Sequence, residues 1–449
     1  MAKLKITDNA LGLSLSDCLG DSQWNESIHK QTINDLSLIG GTELKDLVNE
    51  NPDILVFPAL LGAHQDGVES LRVCSYDERN DRLYTGNLMG FVGVNDTQIS
   101  IRSRFAKVGD EDYFLHYMLM KVFCPNIFKL KHETSNDTVF DFLLYLFPHL
   151  LNEAMKQGLF KTYQNFRRND SKVNGTIDVS RHIRMNIPFR GTIAYNTRGL
   201  AFDNPITQLI RHTVEFLKTS PLGRAMLTGP EIQENIRIIV DNTNSYCFRD
   251  RNKIIASNLK HVRHPYFTKY TVLQKLCLSI LRHERLKYGS NKDKVYGILF
   301  DGAWLWEEYL NTLFKPLDII HGENKTGKNP IYLFNGDKFV RYPDFFIKDK
   351  IVIDAKYKHL YSKEIARDDL HQVITYLHIL NAQGAFLAYP TKRNKNTFET
   401  IGELNGLGGK IGLIGLKIPQ DKSGMNNFKD SIRKEEDNLI ETLKQEEYF

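Results

Sequence analysis

The amino-acid sequence predicts a multidomain α/β protein, and three observations lead to this fold class. A chain of 449 residues is too long for one hydrophobic core, which indicates two or three domains. Strand-length apolar runs dominate the beginning of the chain, helical periodicity dominates its middle, and strands alternate with helices in its last third. We therefore expect a strand-rich domain over residues 1–105, a mainly helical region over 106–290 and an α/β domain over 291–449.

We predict strands in the first region because it contains runs rich in β-branched and aromatic residues. These runs are "DILVFPALLG", "LRVCSY" and "GFVGVNDTQISIRSRF". Gly, Asn and Asp, which are typical turn residues, separate them. The sequence alone indicates no chemistry for this region.

The middle region contains helical patterns in "DYFLHYMLMKVF", "NPITQLIRHTVEFL" and "TVLQKLCLSILRHE". It also contains a basic segment, "YQNFRRNDSKVNGTIDVSRHIRMNIPFRG", in which Arg167 and Arg168 lie close to Tyr163 and Phe166. Such a segment suits a phosphate backbone, which attracts cationic side chains regardless of base sequence. A surface loop made soluble by its arginines is an equally good interpretation.

The last region begins with an amphipathic helix pattern, "GAWLWEEYLNTLF", and a polar loop, "GENKTGKN". Periodicity places Glu307 and Glu308 equally far from the apolar stripe of the helix, so it does not choose between them. The loop matches the first part of a P-loop, but Asn329 occupies the position of the required Ser or Thr, and the strand-like "IYLF" follows. We therefore expect no nucleotide hydrolysis by this chain.

A β-hairpin is predicted in "RYPDFFIKDKIVIDAKYK", with Lys348-Asp349-Lys350 as its turn. Side chains alternate between the two faces of a strand, so Asp354 and Lys356 share one face, and Asp344 begins the partner strand. Two carboxylates brought together repel each other unless a cation lies between them, and Mg²⁺ prefers such oxygen ligands. A nearby lysine can orient or deprotonate a water, or stabilise charge that develops on a phosphate. The pattern predicts a phosphodiester-hydrolysing site, although an exposed strand end with a solvated ion pair fits it too.

The segment "RDDLHQVITYLHIL" predicts the next helix, with an apolar stripe at helical spacing. Asp369, Gln372 and Tyr376 form a polar stripe beside it, which by itself is typical of a solvated face. The final segment, "FKDSIRKEEDNLIETLKQEE", predicts a charged helix that faces solvent.

Pro343-Asp344 followed by Asp354-Ala355-Lys356 resembles the PD-(D/E)xK nuclease motif. The resemblance implies that Asp344 and Asp354 ligate Mg²⁺ and that Lys356 positions the attacking water. Nucleases of this superfamily often add a glutamate from an upstream helix, and similarity to an (F/W)-E-x-Y pattern favours Glu307 as a third ligand. The superfamily also implies that Gln372 and Tyr376 line a DNA cleft, to which we add Arg167 and Arg168 from the basic segment.

"LWEEYL", "YPDFFI", "VIDAKYK" and "DLHQVITYLHIL" resemble, in order and spacing, one family of this superfamily: McrC, the nuclease subunit of McrBC-type modification-dependent restriction systems. The resemblance is specific over the last third of the chain, looser from residue 85 to 290 and weak over the first 80 residues. It implies a type IV restriction endonuclease subunit that cuts modified duplex DNA with an McrB-like AAA+ GTPase oligomer. The partner would bind GTP, and the N-terminal half of this chain would contact it and stimulate its GTP hydrolysis.

Three questions stay open after this resemblance. Dimerisation through the nuclease domain is compatible with it. A stand-alone repair or phage-defence nuclease would need the same motif, and a non-catalytic adaptor that activates a P-loop motor would need only the partner contact.

Composition excludes several other classes. The cysteines, Cys18, Cys74, Cys124, Cys247 and Cys277, have no short spacing, which argues against zinc and iron–sulfur sites and favours a reducing cytoplasm. Polar residues interrupt the first twenty positions, and the most apolar run, "FDFLLYLFPHLL", is too short to span a bilayer. A net charge of +5 is only mildly basic. We expect a cytoplasmic protein.

Overall fold

The computed structural model describes residues 2–19, 26–51, 53–58, 72–107, 111–124, 138–282, 295–322, 327–360, 365–406, 408–420 and 424–447. The chain forms two compact units. The first combines Met1–Tyr145 with His283–Phe449, and the second is Leu146–Arg282. The boundaries of these two units differ from the boundaries of the three predicted regions. The three-region division stays a prediction. The α/β fold class is confirmed, because both kinds of element occur throughout.

A five-stranded mixed sheet forms the N-terminal part of the first unit. Its strands, in spatial order, are β1 (Ala2–Thr7), β7 (Thr97–Arg102), β6 (Leu88–Val94), β11 (Tyr296–Asp301) and β3 (Ile54–Phe57). Strand β11 pairs antiparallel with β6 and parallel with β3, so a strand from beyond residue 290 lies between two strands of the N-terminal region. Leu299, Val92 and Ile99 are fully buried in the core of this sheet.

Smaller elements flank this sheet. A three-stranded sheet has the order β2 (Leu11–Leu13), β5 (Arg82–Thr85) and β4 (Cys74–Asp77). The helices are α1 (Leu15–Cys18), α2 (Glu26–Gly40), α3 (Leu44–Glu50), α4 (Tyr113–Phe123) and α5 (Thr138–Met155), the last of which runs across the boundary between the two units. The predicted helix in "DYFLHYMLMKVF" is confirmed by α4.

A second, six-stranded sheet lies in the C-terminal part of the first unit. Its order is β12 (Ile320–His321), β15 (Phe345–Ile347), β16 (Ile351–Ala355), β17 (Gly384–Thr391), β19 (Lys410–Lys417) and β18 (Thr397–Glu403). A separate hairpin joins β13 (Ile331–Phe334) to β14 (Lys338–Arg341). Helices α12 (Gly302–Phe314), α13 (Arg367–Ile379) and α14 (Met425–Lys444) accompany this sheet, with a 3₁₀ turn at Lys315–Leu317.

The predicted hairpin and the helix that follows it are confirmed. Strands β15 and β16 pair antiparallel, and Asp349 in the turn has a φ of 62°, the left-handed conformation that Asp tolerates. Helix α13 buries Val373 and Leu377 of its apolar stripe in the same core as Val352 and Leu387 of the sheet. This packing fixes the helix beside the end of β16.

The final helix differs from the sequence prediction. Helix α14 buries a stripe that includes Phe428, Ile432 and Leu439, together with the charged Glu436. Glu436 accepts hydrogen bonds from Lys121 on α4 and Tyr309 on α12. The prediction of a solvent-facing helix was wrong because its apolar residues, although few, recur at helical spacing and pack against two neighbouring helices.

The second unit is built mainly of helices around one small sheet. The strands have the order β8 (Thr162–Asp170), β10 (Ile193–Ala201) and β9 (Thr176–Ile177). The helices are α6 (Val179–Asn186), α7 (Pro205–Leu217), α8 (Pro221–Met226), α9 (Pro230–Asp241), α10 (Arg251–Ser257) and α11 (Lys269–Leu281), with a 3₁₀ turn at Phe248–Asp250. Helices α7 and α11 confirm two predicted helices, and Asn204 begins α7 with a capping box.

Two further sequence expectations concern local structure. In the described part of the P-loop-like segment, Asn329 is left-handed and strand β13 follows, as predicted, where a P-loop would open a helix. Residues 323–326 of that segment lie outside the described residues. No helix among the described residues is long and apolar enough to cross a membrane.

Candidate active site

The β15–β16 hairpin brings Asp344 and Asp354 to the same end of the six-stranded sheet. Phe345 pairs with Ile353, and the next position of this antiparallel register places Asp344 across from Asp354. Oδ2 of Asp344 accepts a hydrogen bond from the backbone N–H of Ala355, at 2.7 Å. Asp354 is only 1% exposed, whereas Asp344 keeps part of its surface for solvent. Both carboxylates therefore lie in a largely buried environment, and Asp344 is the less enclosed residue of the two.

Lys356 follows on the same face of β16 and is held by three side chains. Its Nζ lies 2.6 Å from Oδ2 of Asp354 and 3.7 Å from Oδ1 of Asp369. It also donates a hydrogen bond to Oε1 of Gln372, at 2.9 Å. Nε2 of Gln372 in turn donates to the hydroxyl of Tyr376, at 3.2 Å. The polar stripe of helix α13 therefore lies along the side chain of Lys356. The stripe forms because Asp369, Gln372 and Tyr376 are three and four residues apart.

Glu307 reaches the site from helix α12. Its Oε1 lies 2.8 Å from Nε2 of His321, whose ring stacks on Phe345, the neighbour of Asp344, with centroids 5.0 Å apart. The charge of Glu307 contributes to the raised pKa of Asp344. Glu307 is therefore near enough for its charge to act on Asp344, and its role as a third ligand stays a prediction.

One backbone carbonyl links helix α12 to the residue that follows strand β16. The carbonyl oxygen of Ala388 on β17 accepts hydrogen bonds from the backbone N–H of Lys356, at 2.8 Å, and from Nε1 of the buried Trp306, at 3.2 Å. Trp306 precedes Glu307 in α12. The same carbonyl therefore contacts the backbone of Lys356 and the residue that precedes Glu307.

Burial and charge crowding govern the ionisation of the cluster. Burial, followed by the charges of Asp354 and Glu307, raises the pKa of Asp344 well above its ordinary value. Burial also raises the pKa of Asp354, although Lys356 opposes this shift. Burial alone would lower the pKa of Lys356, but the charges of Asp354 and Asp344 outweigh it and raise that pKa. Lys356 is therefore an ammonium ion at neutral pH.

These carboxylates fit a divalent cation in their chemistry. Across the residues that the structure describes, no group of three or more His, Cys, Asp or Glu side chains converges as a ready-made metal site. The two aspartates nevertheless offer hard oxygen donors on neighbouring strands, and the charge of Asp354 contributes to the raised pKa of Asp344. Such oxygens are the donor type that Mg²⁺ accepts. A bound cation would relieve the repulsion by Asp354 and Glu307 that contributes to the raised pKa of Asp344.

The sequence prediction missed three side chains of this neighbourhood. Asp369 lies in the predicted polar stripe, but the sequence assigned it no role. In the structure it accepts a hydrogen bond from Lys358 and lies close to the ammonium group of Lys356. Lys358 is two residues beyond Lys356, so the alternation of strand side chains indicates it. His321 belongs to a strand of two residues, which is too short to give a periodic signal.

The two predicted DNA-contacting arginines belong to the second compact unit. Arg167 and Arg168 are consecutive residues of β8, so their side chains point to opposite faces of the sheet, and both are exposed. Gln372 and Tyr376 belong to the first unit. The assignment of all four to one DNA cleft stays a prediction.

Comparison with known proteins gives a family and two distant structural likenesses. The family described as "McrBC 5-methylcytosine restriction system component" matches residues 83–390, well over half of the chain. No curated protein sequence matches.

Both structural likenesses are to assemblies from Thermococcus gammatolerans. A chain of a tetradecameric assembly described as McrB AAA+ hexamers with bound McrC is 16% identical, with 96% of this chain and 99% of that chain covered and a TM-score of 0.48. A chain of a cryo-EM structure of the McrBC complex is 13% identical, with 70% and 88% covered and a TM-score of 0.34. Both TM-scores are too low to establish a common fold.

Proposed function

Since the chain belongs to the McrBC 5-methylcytosine restriction system component family, we propose that it is the nuclease subunit of such a system. It would be a PD-(D/E)xK endonuclease that cuts modified duplex DNA with the help of Mg²⁺. The observation that carries this proposal is the meeting of Asp344, Asp354 and Lys356 at the end of one hairpin. A structural ion pair would need only Asp354 and Lys356, whereas the second carboxylate adds repulsion.

Asp344 and Asp354 would hold the metal ion, with Glu307 as a third carboxylate from α12. Bound Mg²⁺ would supply the positive charge that activates a water and stabilises the phosphate during hydrolysis. The contact of Glu307 with His321 orients its carboxylate towards this end of the sheet.

Lys356 would act as a hydrogen-bond donor and a positive charge. In the metal-free protein the neighbouring aspartates raise its pKa, so the group is an ammonium ion and not the free base that removal of a proton from water requires. Its ammonium group would instead orient the attacking water and stabilise negative charge on the scissile phosphate. Gln372, itself bonded to Tyr376, restricts the position of this ammonium group.

As an McrC-like subunit, the chain would work with an AAA+ GTPase oligomer of the McrB kind. The partner would bind GTP and deliver DNA to the nuclease, and the N-terminal part of this chain would stimulate GTP hydrolysis. The P-loop-like segment has Asn329 in place of the hydroxyl residue that holds Mg²⁺ in a P-loop, which supports assigning nucleotide hydrolysis to the partner.

Cleavage of methylated plasmid by the chain with its partner, GTP and Mg²⁺ tests the proposal. Asp354→Ala and Lys356→Ala should each abolish cleavage, while Lys348→Ala, an exposed lysine in the turn of the same hairpin, should leave it unchanged. Cleavage by either site variant at the wild-type rate would show that the site is assigned wrongly.

The same experiment separates the two rival functions. A stand-alone nuclease would cut the plasmid without the partner, whereas we expect little cleavage and no GTPase activity from the purified chain. An adaptor would stimulate the partner's GTPase but would never cut DNA, even with its site intact.

A further inference from the structure

The second compact unit contains a cleft of about 830 Å³ that the proposed nuclease chemistry does not use. It lies where strands β8 and β10 meet the loop that precedes helix α11. We call it the aromatic–basic cleft, after six lining residues that carry rings or positive charges: Lys161, Tyr163, Arg198, Phe202, Arg263 and Tyr266. Its volume falls within the roughly 300–1,000 Å³ that is usual for ligand sites.

One face of the paired strands β8 and β10 extends the cleft outward. The register pairs Tyr163 with Leu200, and Asn165 with Arg198, so these four side chains share a face. Arg167 follows on the same face of β8 at the next alternate position. This face of β8 and β10 therefore presents an aromatic ring, two arginines and an amide. Side chains of these kinds contact the bases and phosphates of nucleic acids.

The charge of the cleft is of one sign. None of the described residues that line it is acidic, whereas Lys161, Arg198 and Arg263 each contribute a positive charge. Asp203 follows Phe202 in the chain, but its carboxylate accepts hydrogen bonds from Gln208, at 2.6 Å, and from the backbone of Ser245, at 2.9 Å. The cleft would consequently attract an anionic ligand.

Buried hydrogen bonds fix the walls of the cleft before any ligand binds. The hydroxyl of the fully buried Tyr270 donates to the carbonyl of Gly158, at 2.8 Å, and accepts from the N–H of Phe160, at 3.2 Å. Nε2 of Gln157 donates to the carbonyl of Tyr266, at 2.9 Å. Walls fixed in this way lose little conformational entropy when a ligand enters.

Exposed rings identify the kind of ligand. Tyr163 is 59% exposed and Tyr266 is 63% exposed, and the guanidinium of Arg198 lies 4.8 Å from the ring centroid of Tyr163. Exposed aromatic rings within a basic cleft are the features with which proteins hold unpaired bases and the phosphates between them. The bases of a duplex are stacked on one another, so their faces are not accessible to these rings.

We propose that the aromatic–basic cleft binds single-stranded DNA. Tyr163 and Tyr266 stack on unpaired bases, and Lys161, Arg198 and Arg263 neutralise the adjoining phosphates. The proposal rests on the proposed function in taking DNA as the polymer, but it needs neither a metal ion nor cleavage.

Binding of a fluorescent oligothymidylate to the full-length protein, measured by anisotropy in a chelator at several salt concentrations, tests this proposal. Tyr163→Ala should weaken strand binding by about five- to 100-fold, as loss of one base stack does, and Tyr163→Phe should restore it. Arg198→Glu should weaken binding and make its salt dependence shallower, because one phosphate contact is lost. Duplex of the same length should respond to neither change by more than about twofold, since its stacked bases cannot occupy the cleft.

Two features of the design make the outcome decisive. Arg237→Glu, an exposed arginine of the same unit outside the cleft, should leave strand binding unchanged. The chelator prevents metal-dependent cleavage, which separates this proposal from the nuclease assignment. An unchanged strand affinity in Tyr163→Ala, an equal loss in Arg237→Glu, or binding of an acidic peptide but of no oligothymidylate would overturn the proposal.

Discussion

Asp344 is the residue whose charge is least compatible with its surroundings. It accepts a backbone hydrogen bond from Ala355, yet burial and the charges of Asp354 and Glu307 raise its pKa well above the ordinary value. A carboxyl with a raised pKa in the folded protein takes up a proton on folding. The stability it contributes is fully present below the unfolded pKa and is lost as the pH rises through the folded pKa. At neutral pH this side chain therefore destabilises the metal-free protein.

Asp344→Asn should accordingly raise the free energy of unfolding in a chelator at pH 7 by about 1–3 kcal/mol, because the amide keeps the hydrogen-bond acceptor without the charge. Mg²⁺ should raise the melting temperature of the wild type but not of this variant. Denaturant unfolding of both proteins with and without Mg²⁺ provides the measurement. Asp349→Asn, in the exposed turn of the same hairpin, is the control; an Asp344→Asn variant less stable than wild type would contradict the prediction.

His321 contacts Glu307 and stacks on Phe345, and these two contacts are separable by substitution. His321→Phe keeps a ring against Phe345 but loses the contact with the carboxylate. We expect about a tenfold loss of cleavage rate and a higher half-saturating Mg²⁺ concentration, since partners of ligating groups contribute to this extent. The partner's GTPase stimulation should stay normal. His371→Phe, on the exposed side of α13, is the matched control, and an unchanged Mg²⁺ dependence in His321→Phe would argue against the positioning role.

The sequence predicts the meeting of Asp344, Asp354 and Lys356 because alternation and hairpin pairing are local rules. It does not predict His321, whose approach to Glu307 depends on the pairing of a two-residue edge strand with β15.

Helix α14 contributes an ion pair that is mostly removed from solvent. Glu436 lies 2.5 Å from Nζ of Lys121, with side chains 6% and 15% exposed, and it also binds the hydroxyl of the buried Tyr309. Three helices thereby share one carboxylate. Composition could not reveal this arrangement, because a helix with so many charged residues gives no sign of which charge is buried.

Removing one partner of such a pair leaves the other charge without compensation. Glu436→Ala should lower the free energy of unfolding by about 3–5 kcal/mol. Glu441→Ala, an exposed glutamate of the same helix, should change it by less than about 0.5 kcal/mol. Replacing both partners, Glu436→Leu with Lys121→Met, should recover most of the loss; a Glu436→Ala variant as stable as Glu441→Ala would contradict the assignment. Urea unfolding followed by circular dichroism measures all of these changes.

Across the whole molecule, the first compact unit joins the two ends of the chain. Strand β11 lies between β6 and β3, and the hydroxyl of Tyr357 is 2.7 Å from Oγ of Ser103. The N-terminal sheet therefore includes residues that a sequence-based division assigns to the nuclease region. Pairing over more than 200 positions leaves no local pattern, which is why the sequence predicts the strands but not their neighbours.

A fragment that ends at residue 290 should consequently fail to fold its N-terminal part, since it lacks the strand between β6 and β3. We expect no cooperative thermal transition for this part of the fragment, and aggregation on size-exclusion chromatography. Full-length Asp344→Ala is the better means of separating the two activities: it should stimulate the partner's GTPase normally while failing to cut DNA. A soluble, cooperatively unfolding 1–290 fragment that stimulates the partner would contradict the requirement for β11.

The position of β11 also has a consequence during synthesis of the protein. Strands β6 and β7 leave the ribosome long before β11, and at about 5–20 residues per second the intervening chain takes on the order of 10–40 seconds to make. For that time the edges of β6 and β3 that will receive β11 have no partner strand from this sheet. Unpaired strand edges invite association with other nascent chains. We therefore expect the growing polypeptide to depend on chaperones until its two ends have met.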